Sequence, residues 1–212
     1  MEREEAVMTK NRKKRSDAKR DIKPTISSNL KDCIYSLSYI THTPVKDVAV
    51  LLCEKGLRSR KVIEHLSQHF RRDYQFMSTV FIGEWGRESL QRKYQPGKNE
   101  RITARFSQTS YEDIYVLSSA LDVTPSKATA LLLDASIRNV NLLNAFVKVS
   151  LQEHLDDARM KELKHVLKYI NKNNPYSEEI SWFTLMDMIF QDMKEKAGDV
   201  KGMVSHWLEK YK

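Results

Sequence analysis

His65 and His69 stand four residues apart, a spacing that puts two imidazoles on one side of a helix and suits a zinc pair. The residues between them lack the Glu of a metalloprotease, and no third ligand lies nearby. His154 with Asp156 and Asp157 is no better supported. Two cysteines, Cys33 and Cys53, are too few for a disulfide framework or a Cys-rich zinc site, and fit buried thiols. Six scattered glycines form neither a phosphate loop nor a dinucleotide fingerprint. These absences predict no catalytic set, no metal, no cofactor, no small-molecule ligand and no enzyme. Chemistry of another kind stands in "RITARF". Arg101, Thr103 and Arg105 alternate there with Ile102, Ala104 and Phe106, the period of a half-buried strand. Such a strand shows two guanidinium groups and a hydroxyl on one face.

Almost everything around this strand has the period of a helix. In 212 residues there are only 6 Gly and 5 Pro, which favours long helices over a turn-rich β fold. Net charge is +8 and the pI about 9.3, so an anionic partner is expected. Residues 1–21 read as a basic, disordered arm that can order on a polyanion, carrying Lys10, Arg12, Lys13, Lys14, Arg15, Lys19 and Arg20. Charges fill the stretch where a secretory signal would be apolar, and the longest apolar run, Val48 to Cys53, is far too short for a membrane span. The chain is therefore expected to be cytoplasmic, without a membrane partner.

The chain also repeats itself. "CIYSLSYITHTPVKDVAVLL" from Cys33 lies beside "DIYVLSSALDVTPSKATALLL" from Asp113, sharing Ile-Tyr-x-Leu-Ser, Thr-Pro-x-Lys and Ala-x-Leu-Leu. The offset is 80 residues from Ile34 to Ile114, and 81 from Thr43 to Thr124 after one inserted residue. Each copy reads as a strand, a helix, a Thr-Pro turn and a second helix. In the first, Ile22, Pro24 and Ile26 alternate with Lys23, Thr25 and Ser27; Leu30, Ile34 and Leu37 stripe a helix; Thr43-Pro44 opens the next. In the second, Thr109 to Glu112 reads as a capping box, Ile114, Leu117 and Leu121 form the stripe, and Thr124-Pro125 restarts the chain. The predicted organisation is a first unit at 22–66, a helical connecting segment at 67–100, a second unit at 101–147 and a helical region at 148–212. In the last, Trp182, Phe183, Met186, Ile189 and Phe190 fit either a homodimer surface or an intramolecular core.

A strand, a helix, a capped turn and a second helix in so few residues resemble the ribbon-helix-helix DNA-binding family, with "RITARFSQTSYEDIYVLSSALDVTPSKATALLLDASI" the closer copy. The resemblance implies a mainly α fold, in which two ribbon-helix-helix units pair their strands into one two-stranded antiparallel ribbon, with further linker and C-terminal helices. It implies a sequence-specific double-stranded DNA-binding protein, either a transcriptional regulator, such as a repressor, or a plasmid or mobile-element copy-control or partition factor. Arg101, Thr103, Arg105, Lys23 and Thr25 would then meet base edges in the major groove. Thr43, Lys46, Thr124, Ser126 and Lys127, at the starts of the second helices, would meet phosphates. Asp21 departs from the pattern, standing where the second copy has Arg101, and Pro24 lacks a ladder amide. Residues 22–27 are expected to pair with 101–106 inside one chain, the rival being a symmetric dimer. A second reading is a helical interaction protein whose basic arm binds acidic partners or membranes.

Overall fold

The computed structural model describes residues 18–94, 97–154, 156–172, 174–176 and 180–196, with side chains as far as Phe190. Two short strands, β1 (Arg20–Ile22) and β2 (Thr25–Ser27), lead into α1 (Ser28–Thr41), α2 (Val45–Leu57) and α3 (Arg60–Ser67). A hairpin of β3 (Tyr74–Phe76) and β4 (Thr79–Phe81) follows. Strands β5 (Asn99–Arg101) and β6 (Ala104–Phe106) then lead into α4 (Gln108–Leu121), α5 (Pro125–Arg138) and α6 (Val140–Glu153). Helices α7 (Asp157–Asn171) and α8 (Trp182–Lys196) complete the described chain, which is mainly α.

The duplication is visible in the caps. Ser27 caps α1 by accepting from Leu30 N, and Ser107 caps α4 by accepting from Ser110 N. His42 and Asp122 end the same two helices in the left-handed region, at φ 51° and 54°. Ser59 and Asn139 then precede α3 and α6, so each copy carries a third helix beyond the two expected. Two caps differ from the sequence reading. Ser107 reaches the free amides of α4 first, which places Thr109 to Glu112 inside that helix. Thr124 does cap α5, with Pro125 at its first position, whereas α2 starts after Pro44 and no side chain caps it.

One core runs through both copies. Ile34, Leu37, Leu52, Ile114, Leu117 and Leu132 are fully buried within it, and α2 lies directly against α5. The crossing is close at Gly56, where a Cβ would come within 2.0 Å of Ser136 Oγ.

Segment 67–100 is not the expected helix. Among its described residues beyond α3, the chain forms the β3–β4 hairpin, irregular turns and the start of β5. Tyr74 and Phe76 alternate with exposed Gln75, and a two-residue loop with Met77 at φ 52° reverses the chain. The aromatic richness that resembled a packing helix is a strand period too short to recognise. Phe70, Tyr74 and Phe76 still join the core, while Trp85 lies outside it under Arg71, whose guanidinium sits 4.3 Å from the ring centroid.

The C-terminal helices close over the duplicated unit. Helix α7 packs along α1, where Ser36 Oγ donates to Glu162 Oε2 at 2.6 Å. Helix α8 packs on α6 and buries Leu185, Met186, Ile189 and Phe190. The cluster read as a homodimer surface or a core is a core; only Phe183 of it is exposed. No described helix is long and apolar enough to cross a membrane.

Candidate nucleic-acid interface

Residues 20–27 run antiparallel to 99–106. Arg20 lies opposite Phe106, Asp21 opposite Arg105 and Ile22 opposite Ala104; Thr25 lies opposite Arg101, Ile26 opposite Glu100 and Ser27 opposite Asn99. The ladder breaks at Lys23–Pro24. Ile102 N still donates to Pro24 O at 3.3 Å, but proline has no amide to return the second bond of that pair. The paired segments begin two residues earlier on each strand than the sequence indicated, at Arg20 and Asn99.

Alternation divides the ribbon cleanly. Ile22, Pro24, Ile26, Ile102, Ala104 and Phe106 are buried against the helices. Lys23, Arg101, Thr103 and Arg105 are exposed on the other face, Thr25 is half-buried at its margin, and Asp21 joins them. All five residues expected to meet bases therefore share one surface. Lys23 and Thr103 are cross-strand neighbours and also equivalents in the repeat, so a local twofold passes between them. About it, Asp21 corresponds to Arg101 and Thr25 to Arg105. Each half of the face consequently holds one arginine, with different company. Arg105 forms an ion pair with Asp21, Nε lying 2.8 Å from Oδ1, and Nη2 donates to Oδ2 at 3.4 Å. Arg101 stands opposite Thr25, and among the described residues it makes no ion pair.

Both ends of the ribbon are tied to the helices beneath. Arg20 Nε donates to Gln108 Oε1 at 3.1 Å and its guanidinium stacks near Tyr111, so Arg20 is a ribbon residue and not part of an arm. At the equivalent end Glu100 receives Lys31, Lys98 and the Ser28 hydroxyl. The hydrogen bond from Lys31, with those from Lys98 and Ser28, pulls the Glu100 carboxyl down to about 2 from an ordinary 4.5. Lys19 is exposed beside β1; Lys10, Arg12, Lys13, Lys14 and Arg15 lie outside the described residues.

The two helix starts expected to hold phosphate are unlike. At α5, Thr124 accepts from Lys127 N and its own amide donates to Gln91 Oε1 at 2.8 Å. Ser126 Oγ donates to Lys23 O at 2.7 Å, tying the helix to the ribbon. The Lys127 ammonium is turned to the Lys93 carbonyl, 4.4 Å from the Tyr94 ring centroid, and burial lowers its pKa. Ser126 and Lys127 are thus engaged in fold contacts rather than presented outward. At α2, Lys46 is exposed. Thr43 there is a turn residue, its hydroxyl on Thr41 O and its carbonyl receiving Ser38 Oγ.

The sequence reading missed Asp21 as a partner of Arg105, because opposition across a ribbon depends on register, which neither strand states alone. His65 and His69 lie edge to face, with ring centroids 6.3 Å apart, and burial lowers both. Among the described residues no group of three His, Cys, Asp or Glu is placed to hold a metal ion. Comparison with protein-family models, curated proteins and solved structures gives no match to this chain.

Proposed function

We propose that this chain is a sequence-specific double-stranded DNA-binding protein of ribbon-helix-helix type, acting in transcriptional or plasmid copy control and inserting its ribbon into a major groove. The single observation that carries the reading is the outward ribbon face, where Lys23, Thr25, Arg101, Thr103 and Arg105 stand together above a hydrophobic base. A major groove about 12 Å wide admits a two-stranded ribbon, and an Arg fork fits guanine O6 and N7. The net charge of +8 supplies the general attraction to phosphate. Lys46 at the open start of α2 is the phosphate contact we retain.

Selection of bound fragments from a random DNA pool, at stated salt, tests this. A defined enriched element supports the reading; recovery of DNA without any shared element rejects it in favour of a scaffold for acidic partners. With an element in hand, Arg101→Ala should cost about 1–3 kcal/mol at one or two base positions, and Lys46→Ala should weaken all sequences alike.

A further inference from the structure

We infer that Asp21 is a positioning residue that makes the half of the ribbon read by Arg105 more selective than the half read by Arg101; this rests on the DNA reading above. The Asp21 carboxylate meets Arg105 side-on, through Nε at 2.8 Å and Nη2 at 3.4 Å. A guanidinium held along that edge keeps its terminal Nη1/Nη2 fork for a planar acceptor pair, the O6 and N7 of guanine. Restricting the rotamers of a long side chain before binding removes part of the ordering cost. The carboxylate also repels phosphate, so this half of the face gains little from sequence-blind contact with the backbone. Across the local twofold the position equivalent to Asp21 is Arg101, which has Thr25 opposite and makes no ion pair among the described residues. Arg101 can therefore swing between a base and a neighbouring phosphate. The two halves share a backbone twofold but carry their arginines at non-equivalent positions, and they are read with unequal stringency.

Asp21 and Arg105 side chains are 42% and 62% exposed, so the pair adds little to stability and its removal leaves the fold intact. The experiment compares the full chain with Asp21→Asn, Arg105→Ala and Arg101→Ala in selections from one random DNA pool. The two arginine variants mark which base pair each Arg reads. Asp21→Asn should reduce the preference for guanine about tenfold at the Arg105 base pair, leave the Arg101 base pair unchanged, and steepen the salt dependence of binding. A loss at the Arg101 base pair, an equal loss at both, or no change overturns the inference while the DNA reading stands. Failure of the unsubstituted chain to enrich any element overturns both.

Discussion

Arg138 shows how one residue type takes two roles in the two copies. Its equivalent, Arg58, is exposed, whereas Arg138 is only 7% exposed. The guanidinium donates through Nη1 to the carbonyls of Tyr169, at 3.1 Å, and Lys172, at 2.6 Å, and through Nε to Asp134 Oδ1 at 3.0 Å. It thereby satisfies carbonyls at the C-terminal end of α7, where a cation also suits the helix dipole. Arg138→Met should cost about 2–4 kcal/mol, since buried acceptors would lose a charged donor. Urea denaturation measures this, and a cost under about 1 kcal/mol would show the anchor to be dispensable. Glu100 offers a pH test at the same scale. A carboxyl pulled down to about 2 stabilises the fold fully above its ordinary value of 4.5, and that contribution is lost as pH falls toward 2. Glu100→Gln should flatten the acid limb of the stability profile in that window, and an unchanged limb would contradict the assignment.

Helices α2 and α5 approach closely because Gly56 has no side chain. A Cβ there would lie 2.0 Å from Ser136 Oγ and 3.0 Å from Leu132 Cδ1. Ser136 Oγ is buried without a hydrogen-bond partner among the described residues, so its removal costs little. Gly56→Ala should destabilise by about 1–3 kcal/mol through overpacking, and Ser136→Ala in the same chain should restore part of that loss. Simple additivity in a double-mutant cycle would mean the helices do not meet at these two residues. The ribbon depends on an element-scale detail too. Pro24 removes one ladder bond at the centre, and the inner-face contacts of Ile22, Ile26, Ile102 and Phe106 hold the strands together there.

For the whole molecule, the consequence is a ribbon completed without a second chain. Cysteines replacing Lys23 and Thr103 should crosslink within a monomer on mild oxidation, because these positions face each other on the exposed side. Cys33 and Cys53 should stay out of the reaction: both are buried, and burial pushes the Cys33 thiol up to about 12 and raises Cys53 as well. Gel electrophoresis under non-reducing conditions reads the result, and a product at twice the monomer mass would favour a symmetric dimer instead. The C-terminal helices belong to the same argument. With α7 on α1 and α8 on α6, Met186, Ile189 and Phe190, which could have joined two chains, are buried within one.

The duplication, the mainly helical character, the Thr124-Pro125 helix start and the inner and outer faces of both strands were legible in the sequence. The duplication shows as a pattern recurring at a nearly fixed offset; the others are local properties, carried by side-chain period or cap chemistry within a few residues of chain. The hairpin at Tyr74–Phe81 was not legible, since each of its strands alternates over only three residues, whereas 22–27 and 101–106 alternate over six. Nor was the fate of Ser126 and Lys127, which depends on Lys23 and Lys93, distant in sequence and adjacent in space. The pairing of Asp21 with Arg105 belongs with these. Local alternation determines which way a side chain points, but only the packed core fixes the register that decides what stands opposite it.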